Sequence, residues 1–260
     1  MKHRLITLSR LRRRARRAAP GFTLTEMMIA ATIFALLAGM VMGFYTDTFA
    51  MMFLTEQKNL INWDMRYLTT SLSYDARQAN FFVMYSNYTV SSRSSPSQEL
   101  LEGNSGDFLV FIIYGTAPNP IKFNIKPISE IIGYYRAPYQ SNQVTLDPIT
   151  NQPTTVMPVR KFDISVANGT LNANQYLLAS GSTDLPAGGT ATTLEALLPN
   201  DSQATIDSHL IVVQLAQGLN DGLLFNNLWD KSIMVNGKIM HGNNDMSATD
   251  TYNFTVSPRG

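Results

Sequence analysis

The 260-residue chain has no cysteine. That excludes a disulfide framework, a thiolate metal site and dithiol redox chemistry, so any fold must be held by packing, strand pairing or a bound ion. Histidine is scarce as well, with only His3, His209 and His241. There is no H-E-x-x-H, no G-x-S-x-G, no phosphate-binding G-x-x-x-x-G-K-[ST] and no C-x-x-C, which leaves no catalytic constellation to argue from. The chain is read as not an enzyme. His209 and His241 flank predicted strands and are read as strand-edge residues rather than ligands or bases. Helix breakers are missing too. No proline occurs between Pro20 and Pro96, and no glycine between Gly43 and Gly103. Acidic residues are absent until Glu26, whereas Lys2, Arg4, Arg10, Arg12, Arg13, Arg14, Arg16 and Arg17 precede it.

Directly after that basic leader comes a long apolar stretch, Phe22 to Phe53, containing 20 uncharged residues from Met27 to Thr46. At about 1.5 Å per residue such a helix spans a hydrocarbon core of about 30 Å. A positive block directly before a span is explained by the positive-inside rule, which puts the leader in the cytoplasm and Thr48 onward outside. A nucleic-acid arm is the other reading of such a block, and no nucleic-acid partner is assigned. An ordinary secretory signal would be cut after the apolar run at a small-residue site, and no A-x-A pattern follows here. Glu26 is the misfit. A carboxylate at the edge of a bilayer is costly and calls for a partner. A cut just before Phe22 would supply one as a new α-amino group.

Gly21-Phe22-Thr23-Leu24-Thr25-Glu26, with basic residues before it and an unbroken apolar helix after it, resembles the class III signal of type IV prepilins and type II secretion pseudopilins. The resemblance covers about the first 55 residues. It implies cleavage by a prepilin peptidase at Gly21-Phe22, N-methylation of Phe22, and a filament-assembly role for Glu26. The partners implied are the peptidase, other pilin or pseudopilin subunits, an inner-membrane assembly platform and the membrane itself. The implied location is the inner membrane, single pass, with the head in the periplasm or on the cell surface. Losing the leader would remove eight basic residues and leave 12 against 19 acidic ones, turning a net charge of +1 into −7. A large head without a cysteine pair resembles a minor pilin or pseudopilin more than a major pilin. Retention of Glu26 is unlike the tip-most pseudopilins.

Further along, Ile61, Met65, Leu68, Leu72, Ala76 and Ala79 recur every three or four residues, the stripe of an amphipathic helix. Trp63, Tyr67 and Tyr74 are expected to widen it, with Asp64 and Asp75 on the polar sides. A helix from Thr23 to about Phe82 would be roughly 90 Å long. Gly39 and Gly43 form a G-x-x-x-G pair, which reads either as a packing notch or as a weak turn. Residues 90–107 read as a loop. Strands are expected at 108–114, 131–136, 159–166, 210–216 and 251–257, with prolines up to Pro158 confined to loops. Asn236-Gly237 within 232–241 predicts a hairpin turn. Residues 167–206 read as a surface insertion with a short helix near 194–198. The divisions expected are a leader (1–21), an assembly helix (22–53), an amphipathic half (54–85) and a β-rich head (86–260). The fold class is α+β, pilin-like, a spine helix packed on a mainly antiparallel sheet.

No cofactor is assigned. Oxygen-rich loops at Asn243, Asn244, Asp245 and Asp250 and at Asn220 and Asp221 leave calcium open, although neither has EF-hand spacing and turn chemistry accounts for both. Two functional classes stand against each other: a structural subunit of a type IV filament system, and a membrane-anchored extracytoplasmic ligand-binding protein. Glu26 favours the first, because an isolated anchor gains nothing from a carboxylate in the bilayer.

Overall fold

The computed structural model describes residues 21–116, 126–136, 157–177, 185–199, 208–218, 223–242 and 247–259. The chain divides into two compact units, one up to Met51 and one from Met52 onward. The basic leader up to Pro20 lies outside the described residues, as do Asn220, Asp221, Asn243, Asn244 and Asp245.

The first unit is helical. Helix α1 (Leu24–Gln78) begins here and runs on through Gly39 and Gly43 without a break. Large apolar side chains such as Phe34, Met40 and Phe44 are exposed around the helix, an all-round apolar surface that suits hydrocarbon rather than water. The helix is long and apolar enough to cross a membrane. Three of its hydroxyls are satisfied within the helix: Thr32, Thr46 and Thr48 donate to the carbonyls of Met28, Gly43 and Phe44 at 2.7–2.8 Å, an arrangement that would suit hydrocarbon surroundings.

The second unit contains the rest of α1 and the strands β1 (Phe81–Tyr85), β2 (Ser105–Gly106), β3 (Phe108–Tyr114), β4 (Ile128–Arg136), β5 (Met157–Ser165), β6 (Gln175–Leu177), β7 (Thr190–Thr192), β8 (Ser208–Gly218), β9 (Phe225–Leu228), β10 (Ser232–Gly242) and β11 (Ser247–Val256), with a one-turn helix α2 (Leu194–Leu197) before β8. Nine strands form one antiparallel sheet in the order β1-β3-β4-β5-β8-β10-β9-β2, with β11 added on β10; β6 and β7 pair separately and in parallel. This is the α+β arrangement expected from the sequence. The apolar stripe of α1 is buried through Ile61, Leu68, Leu72 and Ala76, with Ala79 just past its end, in one core with Leu109, Phe111, Ile132 and Tyr134. The opposite face of the same strands carries a second core, with Phe108, Val110, Ile112, Ile131, Tyr135 and Phe162. That is why Phe108–Tyr114 is apolar at every position: a strand covered on both faces shows no alternation.

Four expectations are corrected. Helix α1 stops at Gln78, short of Phe82, because Phe81–Tyr85 pairs with β3. Asn80 makes the switch, giving its N–H to Ile112 and accepting the N–H of Tyr114 at 2.8 Å. Trp63, Tyr67 and Tyr74 do not widen the buried stripe. They are 58%, 44% and 65% exposed, and Trp63 stacks on Tyr67. Residues 167–206 are not simply a surface insertion, since Leu171, Leu194 and Leu198 are buried in the second core. Pro158 lies inside β5, at a point where the register with β8 shifts, the kind of irregularity that tolerates proline in a sheet.

The 232–241 hairpin is also absent. Asn236 and Gly237 sit mid-strand in β10, where Gly237 pairs with Tyr252. Glycine is present there because the Tyr252 ring lies over it: an added Cβ would come within 2.6 Å of the tyrosine hydroxyl. The tight turn comes earlier, between β9 and β10, where Trp229 and Asp230 take positive φ. Gly133 of β4 repeats the device, lying under Phe162 of β5 with an added Cβ 2.2 Å from the ring. Both are cross-strand glycine–aromatic pairs, in which the ring covers backbone that glycine leaves bare. Gly133→Ala is therefore expected to destabilise the head by about 1–3 kcal/mol, an overpacking cost, measured as a lower urea midpoint; an unchanged midpoint would show that the ring moves aside freely.

Candidate processing and assembly site

Residues Gly21 to Glu26 are built by a local rule. Thr23 is the N-cap of α1, and its carbonyl accepts the first helical bond, from the Met27 N–H at 3.1 Å. Glu26, at the third helical position, closes a capping box. Its Oε2 accepts the Thr23 N–H at 2.9 Å and the Thr23 hydroxyl at 3.0 Å, while the Glu26 N–H donates to Thr23 Oγ1 at 3.3 Å. Such a box satisfies amide groups that the first turn otherwise leaves unpaired, and a carboxylate there complements the helix dipole. The cap also fixes where the helix cannot begin. Gly21 and Phe22 stay outside it, fully solvent-facing, with Phe22 81% exposed and no atom within 4 Å of a Cβ placed on Gly21. A non-helical, exposed peptide is what a protease needs at a scissile bond.

Glu26 thus has partners in its own chain, which reasoning from the sequence does not supply. The signal for them is nevertheless present as T-x-x-E ahead of an apolar run. Of the other candidates, Asp250 is exposed and lies within β11 rather than in a loop. His209 sits in β8, in register with Lys161. Among the described residues no group of three or more His, Cys, Asp or Glu is placed to hold a metal ion.

His241 is not a strand-edge residue of no consequence. It is 4% exposed, and its Nε2 lies 2.8 Å from Asp64 Oδ2 on the buried face of α1. Asp75 is buried likewise, with Lys161 Nζ at 2.6 Å and the Tyr134 hydroxyl donating to the same oxygen; Ser71 joins the Tyr134 hydroxyl at 2.6 Å. Burial raises the Asp64 pKa, and the hydrogen bond and charge of His241 oppose that rise. Asp64 and Asp75 are expected on the polar sides of the helix, yet both fall on the spacing of the stripe itself, between Ile61, Leu68, Leu72 and Ala79. Buried carboxylates need hydrogen-bonding partners, and the sheet provides them in His241, Lys161 and Tyr134.

The structure combines an apolar N-terminal helix, long enough to cross a membrane, with a β-sheet head packed on the second part of the same helix. The model of the prokaryotic N-terminal methylation motif matches residues 16–42, a signal that this stretch shares with prepilins and pseudopilins. The motif implies processing by prepilin peptidase, and proteins of this family are typically non-enzymatic structural subunits. Comparison with curated proteins and with solved structures finds no match to the chain.

Cap and charge can be separated at Glu26. Glu26→Gln retains a side chain that closes the box, whereas Glu26→Leu loses it at a cost of about 1 kcal/mol to the first turn. Amide hydrogen exchange in the micelle-embedded chain should show faster exchange near Thr23 for the leucine variant only. Equal exchange in both would show that the box does not set the helix start.

Proposed function

We propose that the chain is a structural subunit, a minor pilin or pseudopilin, of a type IV pilus or type II secretion filament. In this reading prepilin peptidase cuts Gly21-Phe22, Phe22 becomes the methylated N-terminus, and the apolar half of α1 stays in the mature protein. The head lies on the far side of the inner membrane from the leader. The observation that carries the proposal is the conjunction at residues 21–26: an exposed, non-helical Gly21-Phe22 peptide held just ahead of a helix whose third residue is a carboxylate.

Glu26 has two successive roles in this account. In the precursor it caps its own helix. In the filament it meets the α-amino group of a neighbouring subunit's Phe22, where a charge pair in low dielectric is worth far more than in water. The head supplies the surface of the fibre, and its two-sided core holds it together without disulfides.

Two sets of variants test this in cells. Gly21→Glu should accumulate as the uncut precursor, because a bulky acid then occupies the scissile bond. Glu26→Gln and Glu26→Leu should both be cut and membrane-inserted but recovered at less than about a tenth of wild-type level in sheared filaments, the loss expected for removing one partner of a low-dielectric charge pair. Filament entry of the glutamine variant at wild-type level would show that the charge is not used.

A further inference from the structure

The sequence holds two tryptophans, Trp63 and Trp229, and the fold buries neither: they are 58% and 70% exposed. Tryptophan is a residue that folds ordinarily bury for the most part. We propose that the two are halves of one contact, in which the Trp229 tip of one copy docks on the Trp63 face of α1 in a second copy.

The face is a stripe. Trp63, Tyr67 and Tyr74 fall on one side of α1 by their spacing, away from the buried Leu68 and Leu72, and all three are exposed. Arg66 and Arg77 stand about one turn on from Trp63 and Tyr74. From Gln57 to Gln78 the exposed charges are Lys58, Arg66 and Arg77, all basic, because the two acids of that stretch, Asp64 and Asp75, are buried against the sheet. The face is therefore aromatic and positive, in a chain that carries 14 acidic residues against nine basic ones after Gln78.

The tip is built at a steric cost. The Lys231 N–H reaches the Leu228 carbonyl at 3.2 Å across a turn whose central residues, Trp229 and Asp230, have φ of 54° and 50°. Asparagine and glycine suit that turn; a bulky ring there is a backbone outlier, and such strain collects at functional positions. Asn227 clamps the neighbouring loop, accepting the Gly103 N–H and giving its own to the Asn104 carbonyl, both at 2.9 Å. Exposed Leu101 and Glu102 are thereby set beside the turn. With Asp230 and Lys231 exposed as well, the tip is apolar and carries two carboxylates against one lysine.

Tip and face lie at opposite ends of the head. The Arg259 N–H donates to the Ala79 carbonyl at 3.1 Å and Val256 pairs with Ile233, so the turn before β10 lies where α1 ends, whereas the far end of β10 meets Asp64 through His241. Tip on tip would set carboxylates against carboxylates, and face on face arginines against arginines. Tip on face is the complementary choice, and it joins the residue types on which interfaces concentrate their binding energy. Because it links opposite ends, the contact is heterologous and lines copies up in one direction. It does not rest on the filament reading, so each can fail without the other.

The test uses the full-length chain in detergent micelles and two variants that each keep a single tryptophan: Trp229→Asn, which suits the turn, and Trp63→Gln, which suits the helix. Raising the wild-type concentration should lower acrylamide quenching of its tryptophan fluorescence about two-fold, as both rings enter a packed contact. Either variant alone should stay as quenchable when concentrated as when dilute, because each lacks one half of the contact. Mixed, they should regain the protection, since Trp229→Asn supplies an intact face and Trp63→Gln an intact tip. Wild-type quenching that ignores concentration, a single variant shielded on concentration as the wild type is, or a mixture that behaves as the sum of its parts would overturn the proposal. So would a Trp63 that is shielded at every dilution in Trp229→Asn, which would assign its face to detergent or lipid.

Discussion

One helix has to satisfy two solvents, and the rest of the structure depends on that constraint. Up to about Met51 α1 carries exposed apolar side chains on every side. Beyond it the same helix narrows to a stripe that only a protein surface can bury. The sheet exists to meet that stripe, and β3 and β4 meet it with Leu109, Phe111, Ile132 and Tyr134. With no disulfide available, the reverse face is closed by a second core in which aromatic rings dominate: Tyr88 stacks on Tyr135 at 3.9 Å, and Arg93 lies over the Tyr88 ring at 4.9 Å while donating to the Tyr88 carbonyl.

Apolar packing alone would let a helix slide along a sheet, because dispersion and burial have little directionality. The Asp64–His241 and Asp75–Lys161 pairs supply the missing axial register. Moving the helix by one turn would leave buried carboxylates unpaired, at a cost of several kcal/mol each. A third pair does comparable work within the sheet. Asp107 accepts the Arg136 guanidinium on one oxygen and the Leu224 N–H at 3.0 Å on the other, tying the start of β3 to β4 and to the segment entering β9. Burial still holds the Asp107 carboxyl above its ordinary pKa.

Much of this is legible in the sequence, for physical reasons that differ by element. The span, the stripe and β3 are long periodic or continuous apolar signals, and they survive any packing context. The Gly21 to Glu26 motif is local, so it can be recognised from its own residues without knowing what packs around it. The features that escape such reading depend on the partner across the sheet. Asn236-Gly237 has the dipeptide of a turn, yet Gly237 is there for Tyr252, fifteen residues away. Phe81 and Phe82 continue a helical pattern, but pairing with β3 takes them into a strand. Trp63 and Tyr67 are apolar by type and solvent-facing by position. Asp64, Asp75 and His241 look like surface residues until the sheet brings them together.

The account turns on the bond between Gly21 and Phe22. Its most direct test is intact-mass and N-terminal peptide analysis of the protein purified from membranes of cells with and without prepilin peptidase. With the peptidase, the chain should begin at Phe22, carry one added methyl group and keep the whole of α1. Without it, the leader should remain. A mature protein that keeps its leader in both cells, or begins beyond the apolar span, would contradict the account.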